Sequence, residues 1–149
     1  MKIVNRKFQR DYEDIERFEA GIMLTGPEVK SIRQGKLKLD DSYVKVLEDG
    51  PYLVNAHIYP YQFTKIDEQQ PERSRKILLN KKELQRIKTK IRGGAGLTLI
   101  PVACYEKGRL IKLEVALAKG RTDLAKRKRE KARDVSRNQK REAKEYTKR

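Results

Sequence analysis

The chain has 149 residues, and its 37 Lys and Arg outnumber 21 Asp and Glu, giving a formal net charge of +16. This length suits one compact domain, and charge of this sign and size is typical of proteins that bind a polyanion, most often nucleic acid. One Cys excludes an internal disulfide framework and a cysteine-based zinc site. The sequence also lacks a membrane-spanning apolar run and the apolar core of a secretion signal. We therefore expect a soluble, cytoplasmic, monomeric anion binder without a metal or other cofactor.

Charge is distributed unevenly along the chain. Residues 119–149 carry 14 Lys and Arg against 5 Asp and Glu, and their large apolar residues are Leu124, Val135 and Tyr146, spaced eleven apart. A segment this polar buries too little surface to offset its loss of conformational entropy, so by itself it is expected to be disordered. We therefore predict a folded unit over residues 1–118 and a disordered basic tail over residues 119–149.

The first half of the folded unit contains strand signals. Residues 42–47 and 52–58 are β-rich runs on either side of a turn signal at residues 48–51. This arrangement predicts a hairpin. Another strand is expected within residues 12–24.

The second half predicts another hairpin. Residues 97–105 are strongly β-forming, residues 106–109 read as a turn, and residues 110–117 alternate apolar and charged side chains as a half-buried strand does. Pro101 cannot donate a ladder hydrogen bond, so it predicts an edge or a bulge.

Two short helices are expected between the strands. Pro27 suits the first position of one helix, which Gly35 would end. Asn80 is a predicted N-cap of the second helix, with Glu83 completing a capping box. The apolar stripe of this second helix consists of Leu84, Ile87 and Ile91. Five or six antiparallel strands with small helices on the rim predict a mainly β fold, the OB-like antiparallel β-barrel.

Short blocks of this sequence follow one another in the order of one known family. They are residues 5–7, 11–12, 18–22, 28–36, 41–44, 58–61, 73–80, 96–101 and 118–120. On these blocks, which extend over residues 5–120, the chain resembles the SsrA-binding protein (small protein B) family.

The resemblance implies an OB-like barrel that binds the tRNA-like domain of transfer-messenger RNA and is not catalytic. In this family the complex enters stalled bacterial ribosomes for trans-translation, and the protein substitutes for the missing anticodon arm. The basic tail of the family lies in the empty mRNA channel near the decoding centre. The RNA contacts of the family correspond here to Glu19, Leu78 and Asn80.

Each of these three residues also has a purely structural interpretation. Asn80 is the predicted helix cap, and one side chain can serve both roles. Glu19 could instead form a surface ion pair with Arg17 or Lys30, and Leu78 could be a core residue.

Basic residues supply the expected phosphate contacts, because loops and helix ends project their charges outward. Any one of them could equally be a solvated surface residue. Those expected on the folded unit are Arg33, Lys36, Arg73, Arg75 and Lys76.

The tail is predicted to become helical on ribosomal RNA, the alternative being a basic tether that never orders. The family usually has an aromatic residue or His where this chain has Leu124, so the decoding-centre contact is expected to differ in detail. The tail residues expected to contact the ribosome are Lys119, Arg121, Lys126, Arg127, Lys128, Arg129, Lys131 and Arg133.

Two alternative functions belong to other classes. A small metal-dependent nuclease would need clustered carboxylates, but the pairs Glu13–Asp14, Glu16–Glu19 and Asp40–Asp41 have no His or second acidic cluster beside them in sequence. A ribosomal protein or ribosomal-RNA chaperone would suit the composition. Such a protein would not prefer the tRNA-like domain over bulk structured RNA.

Overall fold

The structure is a computed structural model that describes residues 1–121, in which nine strands and three α-helices are found. The predicted tail contacts from Lys126 to Arg133, and the predictions about tail order, lie outside the described residues. The strands are β1 (Lys2–Val4), β2 (Tyr12–Ile22), β3 (Leu37–Lys38), β4 (Tyr43–Leu47), β5 (Gly50–Val54), β6 (His57–Ile58), β7 (Arg75–Leu78), β8 (Leu97–Lys107) and β9 (Leu110–Gly120). The helices are α1 (Phe8–Asp11), α2 (Gly26–Arg33) and α3 (Lys81–Arg92), with a 3-10 turn at Ile66–Glu68.

Six strands form a closed antiparallel ring. Their order is β8, β4, β5, β7, β2 and β9, and β9 pairs back onto β8. Strand β1 adds to the outer end of β8, while β3 and β6 form a separate two-stranded sheet. This closed ring confirms the predicted OB-like antiparallel barrel. Closure pairs both sides of the six ring strands, which an open sheet would not do at its edges.

Both predicted hairpins are present, but the run predicted as one strand over residues 52–58 is divided at Asn55, whose φ is +64°. Gly50–Val54 forms β5 of the hairpin, whereas His57–Ile58 forms β6 and pairs with β3. Strands β4 and β5 are joined where Leu47 faces Gly50, whose φ of +131° favours glycine at this turn. Strands β8 and β9 are joined where Lys107 faces Leu110. The ladder between β8 and β9 shifts register after Pro101, which confirms the predicted bulge at that proline.

The helices begin at side-chain caps. Thr25 and Glu28 form a reciprocal capping box at the start of α2. At α3 the Asn80 Oδ1 accepts a 2.9 Å hydrogen bond from the Glu83 N–H, which is the N-cap half of the capping box predicted there. These caps satisfy backbone N–H groups that have no partner within the helix.

The core lies inside the barrel, and two helices close it. Ile32 of α2 and Ile87 of α3 are fully buried and belong to the same apolar cluster as Leu113 and Leu117 of β9. The predicted apolar stripe of α3 therefore packs on the barrel.

Strand β9 extends two residues past the predicted boundary at residue 118. Lys119 and Gly120 are the last residues of β9, and the backbone N–H of Arg121 donates to the Asp11 carbonyl over 2.8 Å. The Arg121 Nε also donates to the Gln9 carbonyl. Within the described part of the chain, no helix has the length and apolar character needed to cross a membrane.

Candidate nucleic-acid interface

One line of directly opposed residues crosses the outer face of five neighbouring strands. Leu78 of β7 faces Gly21 of β2, Gly21 faces Lys112 of β9, Lys112 faces Tyr105 of β8, and Tyr105 faces Lys2 of β1. We call these five residues the cross-strand row. Directly opposed residues lie on the same face of a sheet, and four strand spacings extend over roughly 19 Å. The row is therefore long enough to contact several nucleotides.

Leu78 and Gly21 form one end of this row. Leu78 is 53% exposed, so its alternative interpretation as a core residue is wrong. A Cβ placed on Gly21 would lie 3.3 Å from the Leu78 Cβ, closer than ordinary side-chain contact. The absence of a side chain on Gly21 thus lets Leu78 lie against the sheet surface with its outer side open to solvent.

Glu19 lies two residues before Gly21 in β2, on the same outer face. Its carboxylate accepts hydrogen bonds from the Tyr105 hydroxyl and from the Lys107 Nζ, the latter over 3.1 Å. The Tyr105 hydroxyl and then Lys107 lower the pKa of Glu19, so this carboxylate is ionised at neutral pH.

Glu19 does form a surface ion pair, as its alternative interpretation expected, but with Lys107 and not with Arg17 or Lys30. Arg17 pairs instead with Asp14 over 2.7 Å and with Glu114 over 2.9 Å. The Lys30 Nζ lies 5.4 Å from the centre of the Tyr61 ring, a cation–π geometry. The residues that do bind Glu19, Tyr105 and Lys107, belong to β8, which is distant in sequence. Neighbouring residues in the sequence therefore could not identify them.

Tyr105 is the fourth residue of the cross-strand row, between Lys112 and Lys2, and it is half-buried. Burial raises the pKa of Tyr105 to about 12, and the hydrogen bond to Glu19 acts in the same direction. The phenol therefore remains a hydrogen-bond donor at neutral pH, and its ring offers a stacking surface beside the Glu19 carboxylate.

Asn80 combines its role as the N-cap with an exposed position, so one side chain can serve both roles. Its Oδ1 is the cap atom for α3, and the side chain is solvent-exposed two residues beyond Leu78. The Nδ2 group has no hydrogen-bond partner within residues 1–121. The cap thus orients the amide while leaving its N–H donors for another acceptor.

The prediction that Arg75 contacts phosphate is wrong, because its side chain is fully buried. Its Nε donates to the Glu28 carboxylate over 2.7 Å, and its other nitrogens donate to the carbonyls of Ala56, Gln70 and Pro71. Strand β7 places residue 75 on the inner face, so this basic run does not lie wholly at the surface. Arg75 is therefore a structural residue that holds a loop and α2 together.

Arg73 shares the same carboxylate and is only half-buried. Its Nε and NH2 both donate to Glu28, the shorter distance being 2.5 Å. Burial tends to raise the pKa of Glu28, but hydrogen bonds from Arg73, the Thr25 N–H and Arg75 hold this pKa below its ordinary value. Arg73 as a phosphate contact stays a prediction.

The other expected basic contacts lie at the surface. Lys76 is half-buried and shares the outer face of β7 with Leu78. Arg33 is at the end of α2, where its NH2 donates to the Arg109 carbonyl and its Nε lies 3.8 Å from Glu106. Lys36 is exposed just after α2. Lys76 therefore lies in the same strand as Leu78 of the cross-strand row. Arg33 instead contacts the β8–β9 hairpin.

Sequence reasoning missed Lys2, Tyr105, Lys107 and Lys112 as candidate site residues. The alternation in residues 110–117 already placed Lys112 on the polar face of its strand, and this signal could have found it. The pairing of β8 with β9, β2 and β1 decides which residues lie beside it, and pairing register is not readable from one strand.

In each carboxylate pair that a nuclease could use, at least one member is paired with a cation: Asp14 with Arg17, Glu19 with Lys107 and Asp41 with Lys7. Glu16 Oε2 accepts from Arg86 over 2.9 Å and from Lys90 over 2.8 Å. Within residues 1–121 no group of three or more His, Cys, Asp or Glu lies close enough to hold a metal ion. Burial raises the pKa of the Cys104 thiol to about 12, so this thiol is not a nucleophile at neutral pH.

A closed, OB-like barrel with a polar outer face, in a strongly basic chain, defines a small nucleic-acid-binding protein of the OB class. A sequence profile described as SmpB protein matches residues 2–145. The chain belongs to this family.

Individual relatives agree with this assignment. The SsrA-binding protein of Streptococcus agalactiae is 40% identical over 145 residues, which cover 97% of this chain and 93% of the relative. The SsrA-binding protein of Streptococcus pneumoniae is 42% identical over 137 residues, covering 89% and 88% of the two chains. A solved chain, reported under "tmRNA-SmpB: a journey to the center of the bacterial ribosome", is 39% identical with a TM-score of 0.67, covering 82% of this chain and 85% of that one.

Proposed function

We propose that this protein binds the tRNA-like domain of transfer-messenger RNA and delivers it to stalled bacterial ribosomes for trans-translation. The role is that of a binding protein and not of an enzyme, and it is carried out in the cytoplasm, where ribosomes work. Membership of the SmpB family supports this function, as do relatives named SsrA-binding protein and a structural relative described with tmRNA and the ribosome.

The observation that carries the proposal for the RNA-binding surface is that Glu19 and Leu78 share one outer face, with Asn80 two residues further along. These positions match the RNA contacts of the family. Glu19 is distant in sequence from Leu78 and Asn80, and the pairing of β2 with β7 brings these residues together. A single RNA element can therefore contact all three side chains.

Each side chain of this surface has a distinct task in the proposed complex. The Glu19 carboxylate accepts from a base amino group or a ribose 2′-hydroxyl, and the free Nδ2 of Asn80 donates to a base edge. Leu78 and the Tyr105 ring provide surfaces on which an unstacked base can lie. RNA loops expose such bases, whereas a regular duplex hides them.

Lysines on the same face supply phosphate contacts. Lys112 and Lys2 belong to the cross-strand row, and Lys76 extends it along β7. Their charges attract and position the RNA backbone without reading its sequence. Selectivity in this proposal therefore depends on Glu19, Leu78 and Asn80, while the lysines mainly set the affinity and its dependence on salt.

The tail has a separate task on the ribosome. We assign to residues 122–149 entry into the empty mRNA channel near the decoding centre, with the barrel and its RNA standing in for a tRNA that has no anticodon arm. The dense positive charge of this segment suits contact with ribosomal RNA of the small subunit. Deleting it should abolish tagging of stalled products and leave binding of the tRNA-like domain in place.

The test is competitive binding of the tRNA-like domain against equal masses of ordinary tRNA and ribosomal RNA fragments. Full-length protein is compared with Leu78→Ala at two salt concentrations. Leu47→Ala is the matched control, because Leu47 is an exposed leucine at the β4–β5 turn, with an exposed fraction of 42%. We expect the unchanged protein to keep its preference for the tRNA-like domain at the higher salt. Leu78→Ala should weaken this preference, and Leu47→Ala should not.

Loss of that preference as salt rises would instead indicate a general polyanion binder, such as a ribosomal-RNA chaperone, and would overturn the proposed function. Phosphate contacts alone lose affinity steeply with salt, so the salt comparison separates the two functions. Equal effects of Leu78→Ala and Leu47→Ala would contradict the assigned surface while leaving the function in place.

A further inference from the structure

An apolar groove opens on the barrel beside the end of α3, apart from the cross-strand row. It has a volume of about 570 Å³, and Val44 and Leu99 lie buried at its floor. Tyr12, Ile91 and Leu97, all half-buried, line its walls. We call these five residues the apolar groove. Such a surface is unusual in a strongly charged chain, since exposed apolar grooves commonly mark a binding site.

The chain leaves the barrel at the edge of this groove. Gly120 faces Tyr12 in the β2–β9 ladder, and Lys119 faces Leu97 in the β8–β9 ladder. Two groove residues are therefore the direct ladder partners of the last β9 residues. The backbone N–H of Arg121 then donates to the carbonyl of Asp11, a residue at the rim of the groove.

The next large apolar residue after this point is Leu124. Three extended residues reach roughly 10 Å, which is enough to bring Leu124 from the end of β9 into the neighbouring groove. Leu124 is surrounded in sequence by charged and small residues, so it is the one side chain of residues 122–134 suited to an apolar pocket.

We propose that, in the protein free of RNA and ribosome, residues 122–128 lie along the apolar groove with the Leu124 side chain inserted in it. The rim carries both signs of charge, from Lys7, Lys45, Asp11 and Asp41. Charge therefore does not select the occupant, and the apolar side chain does. A short tether gives an effective concentration in the millimolar range, so a weak contact is sufficient for occupancy.

This docking gives the tail a resting position on the barrel. The docked residues cannot enter another binding site at the same time, so engagement of the tail elsewhere requires Leu124 to leave the groove. The proposal concerns the free protein and is tested without RNA, so it stands or falls independently of the proposed function.

The first test is methyl NMR of the full-length protein, following Ile91, Leu97, Leu99 and Val44. Leu124→Ser is compared with Val135→Ser, which makes the same type of change eleven residues further along the tail. We expect Leu124→Ser to shift the methyl signals of the groove, and Val135→Ser to leave them in place. Unchanged groove signals in Leu124→Ser, or equal changes in both variants, would overturn the proposal.

Disulfide trapping provides a second measurement. Leu124→Cys is combined with Thr98→Cys, an exposed position at the groove, or with Phe63→Cys, an exposed position in the loop between β6 and β7. The native Cys104 is buried and does not compete. We expect the Thr98 pair to cross-link within one chain at least roughly ten times faster than the Phe63 pair. Equal rates, or cross-linking only between two chains, would contradict docking of the chain's own tail.

Discussion

Glu19 lies directly opposite Glu114 in the β2–β9 ladder, although both residues are acidic. Like charges in this position destabilise a sheet unless other groups neutralise them. Here the two carboxylates turn to different partners: Glu19 accepts from Tyr105 and Lys107, and Glu114 accepts from Arg17. Only Glu19 is thereby directed toward the cross-strand row.

This difference predicts separate effects for two chemically identical changes. Glu19→Gln removes the carboxylate proposed to accept from RNA, so we expect roughly tenfold weaker binding of the tRNA-like domain. Glu114→Gln at the facing position should change the dissociation constant by no more than about twofold. Binding titrations at one fixed salt concentration measure both. Equal losses from the two variants would show that general charge, and not the Glu19 hydrogen bonds, matters at this face.

Gly21→Ala tests the position of Leu78. The added methyl group would lie 3.3 Å from the Leu78 Cβ, so Leu78 must shift outward by a few tenths of an ångström. We expect a several-fold loss of affinity for the tRNA-like domain with a change in unfolding free energy of about 1 kcal/mol or less. Gly120→Ala in β9 is the control, since a Cβ there meets no atom within 4 Å. Unchanged affinity in Gly21→Ala would contradict a contact between Leu78 and RNA.

Lys112→Ala tests the phosphate contacts of the cross-strand row. Removing one phosphate contact lowers the slope of log affinity against log salt by about 0.7 to 0.9. We therefore expect this reduced slope for Lys112→Ala and an unchanged slope for Lys65→Ala, whose side chain is 81% exposed in the loop beside the 3-10 turn. Affinities measured at four or more salt concentrations provide the slopes. A parallel shift in both variants would assign Lys112 to the general charge of the molecule.

Glu28→Gln tests the buried pair with Arg75. The change leaves a fully buried guanidinium without its counter-charge, so we expect a loss of about 3 kcal/mol in the free energy of unfolding at neutral pH. Glu68→Gln, at an exposed ion pair with Lys65, should cost less than about 1 kcal/mol. Denaturant unfolding of the two variants and the unchanged protein gives these values.

The same pair predicts a pH dependence of stability. The pKa of Glu28 is lower in the folded protein than its ordinary value of 4.5, so its ionised form is favoured by folding. Its contribution is complete above 4.5 and is lost as the pH falls through the lowered folded pKa. The stability difference between the unchanged protein and Glu28→Gln should therefore be constant near neutral pH and narrow in acid. A difference that widens in acid would contradict the assigned direction of the pKa shift.

The elements with strong local patterns were predicted from sequence, and the short ones were not. Alternation in residues 110–117 and the stripe of Ile87 and Ile91 report which faces are buried, because burial follows the period of the strand or helix. Strands β1 and β7 have only three and four residues, too few for a period to stand out. Their existence depends on partners far along the chain.

Arg75 shows why a basic run is a weak guide to an RNA surface. Residues 73, 75 and 76 all carry positive charge, and nothing in their order separates the buried Arg75 from the outward Lys76. The separation follows from pairing of β7 with β5 and β2, which places residue 75 against Glu28 of α2. A guanidinium is buried at low cost only where a carboxylate and carbonyls receive its donors.

The amino-acid sequence by itself determined the charge, the hairpins, the cap of α3, the barrel class and the family to which the chain is similar. Each of these depends on composition or on residues that are close in sequence. Tertiary structure alone decided that Leu78 lies over Gly21, that Tyr105 and Lys107 bind Glu19, and that Arg75 is inside. These contacts depend on strand register, because a shift of one residue would turn every side chain of a strand to the opposite face of the sheet. Only the closed barrel specifies that register.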